Sequence, residues 1–441
     1  MDSHMPMMRG ARRLNTLQRE PSSPERQRSW DAYLPPRPNR ARRAFNWAAV
    51  LVVAIVLPFL FTGTFAVSVL TQICIAITFA LAYNMLLGGT GLLSFGHALY
   101  FGVGAYTTAH FLNAFGGSAP VVLVPLIGGV AALAVGACVA LFTVRSGKVI
   151  FAMISLAVGQ LAYSAATIMT GFSGGDEGIR LDPTHAAGWG IDFGSPVNVY
   201  LLIAGWTWCA ALAMYALTFT PLGRLMNATR DNPERMDFVG FNPTLIRGLA
   251  LTLSAGFAGI AGSLYALGFQ VVTLDTLSLS QSTAGMLHAY VGGITSFFGP
   301  VAGALLITLA TAHLSTLTDA WPLYLGVFFV AVTISLRYGL AGGLTDLLRI
   351  APTVWRQKGP AYVASRTLPV LLGGLAACAG FILLVEMIQS LNANMGAPVR
   401  LAFLPDAYAA DPRGVASWVV SIALLALGLA PIFKKRRATR S

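Results

Sequence analysis

This sequence predicts an all-α polytopic membrane protein, on three observations. Hydrophobic residues make up 56% of its 441 residues and charged ones only 10%, where soluble domains carry about a quarter charged. The stretch from Asn46 to Gly88 holds no Asp, Glu, Lys or Arg. As helix it would extend roughly 60 Å, twice the ~30 Å hydrocarbon core of a bilayer. The net charge of +12 is concentrated in the N-terminal arm, in short loops and in the closing run Lys434 to Arg437. Basic flanks of that kind mark the cytoplasmic side of membrane spans, and the same distribution argues against nucleic acid as a partner.

The elements follow in order. Residues 1–45, rich in Arg, Pro and Ser and without apolar periodicity, read as a disordered basic cytoplasmic arm. They are too long and too polar for a secretory signal. The core, 46–344, divides into spans at about Trp47–Phe61, Phe65–Leu87, Phe95–Phe115, Ala119–Val144 and Val149–Thr170. A long loop from Gly171 to Val197 precedes a sixth span, Asn198–Phe219, and a charged window, Thr220 to Arg247. A seventh span runs over Gly248–Phe269; two short ones meet at "GGITSFFGP" (Gly292 to Pro300), and a tenth covers Trp321–Leu336. Residues 345–441 form an extension with two further spans, about Thr367–Ser390 and Ala416–Phe433, and a basic tail. With the arm inside, alternation puts Arg145, Lys148, the charged window and Arg337 to Arg366 inside, and the 171–197 loop outside. Every basic cluster obeys the charge rule.

The spans themselves say what they are built for. In the seventh, Ala255, Gly259 and Ser263 form one row and Ala258, Gly262 and Ala266 the next; small residues let helices approach closely in lipid. Glycine-rich breaks occur at Leu86–Tyr106 and Ala289–Leu306. Irregular backbone at membrane depth is tolerated only inside protein or beside a water-filled cavity. These segments are therefore expected to line the protein interior, with Ser94, Gly96, His97, Tyr106, Gly292 and Gly293 as candidates to line a pathway. His97, His110 and His288 otherwise read as buried neutral histidines, and the four cysteines as small buried hydrophobes. "RSGKV" (Arg145 to Val149) lacks the first glycine and the hydroxyl of a phosphate-binding loop. The spans hold no carboxylate–arginine relay of the kind proton-coupled pumps use. Nothing suggests a metal site or a catalytic set.

The charged window is the outlier. Leu222, Leu225, Met226 and Thr229 share one helical face; Asn232 caps a second short helix, with Pro233 at its first position and Glu234 beside its positive end. Gly240 supplies a left-handed stop, and Asn242-Pro243 repeats the cap to launch the seventh span. Such a rigid polar element suits docking. "ERMDFVG" resembles the cytoplasmic E-A-A-x-x-x-G signature of ABC importer permeases: Glu234 and Gly240 match, while Arg235 and Met236 stand in place of the alanines. "NMLLGGTGLLSFGHALYFGVGAYTTA", "GGDEGI", "RDNPERMDFVGFNP", "LSAGFAGIAGSLYAL" and "VGGITSFFGPVAGALL" together resemble the branched-chain amino acid permease family of ABC importers, the subunit type with the longer external loop. The likeness covers about Phe45 to Leu344.

The resemblance implies about ten core helices of ABC importer permease type. It also implies a bacterial cytoplasmic (inner) membrane location with both termini cytoplasmic, and partnership with a sister permease subunit in a heterodimer. Two ATPase subunits, carrying ATP and Mg²⁺, would dock on Arg230, Asn232, Glu234 and Gly240. A periplasmic or extracellular binding protein would dock at Asp176 and Glu177. The chain would be no enzyme and would hold no cofactor of its own. The expected substrates are Leu, Ile, Val or related compounds. Urea or short amides stay open, as does, in another class, a stand-alone channel or secondary carrier; the latter lacks ion-coupling charges here.

Overall fold

The computed structural model describes residues 40–61, 63–115, 120–181 and 195–335, and beyond them 339–340, 342, 379–388, 390–391, 399–400, 409–410, 414 and 417–424. The chain is helical throughout its core. Helix α1 spans Arg40–Leu60 and α2 Thr64–Thr90. After a bend come α3 (Ala98–Phe115), α4 (Val124–Thr143, led by the single turn Val121–Leu123) and α5 (Lys148–Ile168). A short turn, α6 (Thr170–Ser173), leads to a two-residue strand β1 (Ile179–Arg180). Then follow α7 (Pro196–Phe219), α8 (Pro221–Asp231), α9 (Pro233–Phe238), α10 (Pro243–Phe269), strand β2 (Val271–Val272), α11 (Leu279–Gly292), α12 (Gly299–Leu317) and α13 (Trp321–Ser335). A second small strand pair joins β3 (Val399–Arg400) and β4 (Ala409–Ala410). Among the described residues six helices (α2, α4 with its lead turn, α5, α7, α10 and α12) are long and apolar enough to cross a membrane.

The described helices overlap the expected core spans, and the eighth is short as expected. Helix α1 opens at Arg40, so the last residues of the expected arm are helical. The eighth span is the 14-residue α11, about 21 Å long and shorter than the bilayer core. Only short helical pieces, 379–388 and 417–424, are described of the two C-terminal spans, and residues 1–39 lie outside the described residues.

Helix α10 is the central strut, packed along α4, α3 and α2. Its two small-residue rows explain why. Ala255, Ala258, Ser263 and Ala266 are fully buried. A β-carbon on Gly262 would run into the carbonyl of Phe101, and one on Gly259 into Ala132. In lipid, apolar burial gives helices no drive to associate, so backbone-close packing and interhelical hydrogen bonds must hold the bundle. Ser254 Oγ donates to Ala82 O at 2.6 Å, and Ser263 Oγ, which donates to Gly259 O in its own helix at 2.9 Å, lies 3.3 Å from Gly104 O. Thr78 Oγ1 and Thr207 Oγ1, 3.0 Å apart, join α2 to α7. Cys74 is buried as expected, whereas Cys138 and Cys209 lie on exposed faces of apolar helices; Cys378 lies outside the described residues.

Helix α5 defines two ends. At its start Lys148 Nζ donates to Arg230 O at 3.4 Å, which places α8 there. At its far end the chain runs into the loop carrying Asp176 and Glu177.

Candidate functional site

The charged window folds as a capped two-helix element. Thr220 Oγ1 accepts from Gly223 N at 3.3 Å to start α8, and Asn232 Oδ1 accepts from Arg235 N at 2.9 Å to start α9. Asn242 Oδ1 accepts from Thr244 N at 2.9 Å and Leu245 N at 3.2 Å to start α10. Pro221, Pro233 and Pro243 occupy the first helical position each time, where no N–H is needed. Gly240 has φ +91° and turns the chain between α9 and α10. The inner face is built from Met226, Thr229 and Met236, all buried. The outer face is unusual: Phe238 is 91% and Val239 67% exposed, beside exposed Glu234. Arg230 does not join that face. Its NH1 donates to Gly88 O at 2.6 Å, on the last turn of α2. There the guanidinium also suits the negative end of the helix dipole.

Gly88 opens the break between α2 and α3. Helix α2 ends with Gly91 at φ +71°, its N–H on Leu87 O. Residues 91–97 then run through the protein interior, with Leu92 and His97 fully buried and Ser94 1% exposed. The freed backbone is satisfied by side chains from neighbouring helices. Tyr83 OH donates to Ser94 O at 2.9 Å, Phe95 N donates to Ser155 Oγ at 3.1 Å, and Ala98 N to Ser282 Oγ at 2.8 Å. His97 Nε2 sits 3.3 Å from Ser254 Oγ, ringed by Phe79, Tyr83 and Tyr100. Because Ser254 has given its proton to Ala82 O, the imidazole donates through Nε2–H. Its Nδ1 then has no protein partner. Gly96 lies against α5, where an added β-carbon would strike Ser155 O. Gly292 and Gly293 hold the second break, between α11 and α12: Gly292 packs on Gly299 and Gly303, and Gly293 has φ +111°.

At the far end, Asp176 and Glu177 are exposed on a turn flanked by Gly174, Gly175 and Gly178, all at positive φ. The turn is pinned, not loose. β1 pairs antiparallel with β2, Asn113 Nδ2 donates to Arg180 O at 3.2 Å, and His110 bonds Phe172 O at 2.9 Å while stacking on the Phe172 ring. Tyr106, buried, lies beside the same Phe172. Back at the α8 end, a cavity of 240 Å³ opens between the ends of α2 and α7, α8 and the 294–297 turn.

The family model described as "Branched-chain amino acid transport system / permease component" matches residues 65–336. The chain belongs to that family. It is a permease subunit of a branched-chain amino acid importer. It is similar to two curated relatives, each named as a high-affinity branched-chain amino acid transport system permease protein, LivM. The one from Salmonella typhimurium is 27% identical over 314 residues, covering 66% of this chain and 73% of the relative. The one from Escherichia coli is 27% identical over 315 residues, with the same coverages. No solved structure matches.

In this permease the residues singled out from the sequence fall into five places. Arg230, Asn232, Glu234 and Gly240 share the capped element, although Arg230 points inward. Ser94, Gly96 and His97 share the first break, Gly292 and Gly293 the second, and Tyr106 stands further along α3. Asp176 and Glu177 stand at the opposite end. None of the six pathway candidates lines the cavity, and Ser94, Gly96 and His97 face packed protein. Sequence reasoning missed Phe238, the exposed knob of the permease's element, and the set Tyr83, Ser155, Ser254 and Ser282 that satisfies the break. The signal for the latter was present: isolated hydroxyls in otherwise apolar helices need a reason.

Proposed function

We propose that this subunit works in an ATP-driven importer for Leu, Ile, Val or related apolar amino acids, in the cytoplasmic membrane of a bacterium. The element of α8 and α9 lies on the cytoplasmic side with both termini. A sister permease completes the pathway, two ATPase subunits grip the element, and a binding protein delivers substrate to the turn bearing Asp176 and Glu177. The observation that carries the reading is Phe238. A phenylalanine 91% exposed on a rigid, triply capped polar element is an anchor awaiting a pocket in a soluble partner. Glu234 and Asn232 on the same surface supply the polar rim.

The mechanism follows from the connections. Closure of the ATPases on nucleotide moves the element; Arg230 carries that movement to the end of α2, and the buried 91–97 segment changes its packing. Ser94, Gly96, His97, Gly292 and Gly293 then reach the pathway in the alternate state, with Tyr106 above them. The reconstituted complex tests this. Phe238→Ser should insert and assemble with the sister permease but lose binding-protein-stimulated ATP hydrolysis at least tenfold. Full stimulation in Phe238→Ser would remove the anchor role. Uptake measured across leucine, isoleucine, valine and urea in vesicles decides the substrate.

A further inference from the structure

Helix α5 turns polar side chains outward at the depth of the lipid tails. Of the six helices long enough to span, α5 and α12 are the least covered by the rest of the chain. Their outward faces differ. Through its middle α12 shows Leu305, Leu306 and Leu309, side chains that lipid tails accommodate as well as protein does. The outward face of α5 shows Gln160 and, one turn on, Ser164. Neither side chain makes a hydrogen bond among the described residues. Gln160 stands about 18 Å along a helix of 21 residues, close to the bilayer centre. Its amide has two N–H donors and a carbonyl acceptor. In hydrocarbon none of them meets water, and polar groups left unsatisfied there are costly.

The residues around Gln160 have the pattern of a helix contact. Met153, Ala157, Gln160, Leu161, Ser164 and Ile168 recur at spacings of three and four, so they share one face, and all six are exposed. Large Met153, Leu161 and Ile168 alternate with small Ala157 and Ser164, the relief by which membrane helices approach closely. The opposite face, with Phe151, Ser155 and Gly159, is buried against the bundle. We propose that this stripe of α5 is the surface on which the sister permease packs, one of its transmembrane helices bringing a donor–acceptor side chain to Gln160. The complementarity is polar at the centre and apolar on either side. The stripe is also continuous with both docking ends. Helix α5 starts at Lys148, beside the α8–α9 element, and leads into the loop bearing Asp176 and Glu177. This proposal rests on the reading that a sister permease completes the pathway, and it names the surface used.

The test places the photoreactive residue p-benzoylphenylalanine at Leu161, or at Leu305 as a control, in the complete complex in native membranes. Irradiation should join the Leu161 variant to the sister permease and leave the Leu305 variant unjoined. Gln160→Leu supplies the second measurement. Under a lipid cover this change would raise the Tm and leave the assembly intact. Instead, the sister permease recovered with the tagged chain from detergent should fall at least threefold. Gln160→Asn, which keeps an amide, should restore most of it. An adduct with a second copy of this chain, or no protein adduct at Leu161, overturns the surface. So does full recovery of the sister permease with Gln160→Leu. Failure of the underlying reading looks different: an uptake-competent complex that contains no sister permease.

Discussion

Gly240 and Phe238 sit two positions apart and do different jobs. Gly240 has φ +91° with nothing within 4 Å of where a β-carbon would be. Its constraint is therefore conformational and not steric. Gly240→Val forces a β-branched residue into the left-handed region at a cost of at least about 1–2 kcal/mol. It should cut stimulated ATP hydrolysis while membrane insertion, read by protease protection, is unchanged. Gly240→Asn, which tolerates that region, should restore most of the activity. Ser254 makes the complementary case inside the bundle. Ser254→Ala removes the hydroxyl bonded to Ala82 O and leaves His97 Nε2–H without its acceptor, at about 1–3 kcal/mol for the buried donor. A lower Tm in detergent is expected, larger than for Ser68→Ala, whose hydroxyl bonds only its own helix at an exposed position. The caps were legible in the sequence because cap and N–H are two or three residues apart. The Ser254–His97 pair was not, because 157 residues separate its members.

Helices make the same point at the next scale. The spans were legible because apolar length and loop charge decide them, and the small rows of α10 were legible as a packing face. Which helix fills each row was not: Gly259 takes α4 and Gly262 takes α3, a pairing that only the assembled bundle states. Gly96 shows how much this changes. The glycine-rich sequence suggested space for substrate, yet the residue lies on the α5 backbone at Ser155 and Gly159. Gly96→Leu is thus expected to force α3 and α5 apart and to lower the yield of folded protein, and Gly159→Leu to do the same from the other side. Recovery of either variant at wild-type yield and Tm would show that this contact yields. At the far end, the short β1–β2 pair and the His110–Phe172 stack hold Asp176 and Glu177 on a pinned turn. Cysteine at Glu177 should react with an impermeant maleimide added from outside, and the bound delivery protein should block it. Reaction from inside alone would invert the topology.

At the scale of the whole subunit, the proposed import cycle requires that events at the α8–α9 element reach the buried break. Two side chains offer a route, and magnitudes choose between them. Lys148 Nζ reaches Arg230 O at 3.4 Å in an exposed position, a contact worth little in water. Arg230 NH1 reaches Gly88 O at 2.6 Å, a charge-assisted bond in a half-buried site, worth about 1.5–3 kcal/mol. It also ties α8 directly to the turn of α2 from which the 91–97 segment departs. The element also meets the core through the buried side chains of Met226, Thr229 and Met236. Arg230→Gln should therefore uncouple the subunit: ATP hydrolysis by the complex persists, while leucine transported per ATP falls at least tenfold. Lys148→Gln, in contrast, should leave that ratio within twofold of the wild type. The measurement is paired uptake and phosphate release from the same proteoliposomes. Equal ratios for the two variants would mean that force enters through the apolar face of α8, and Met226→Ala would then be the variant that uncouples.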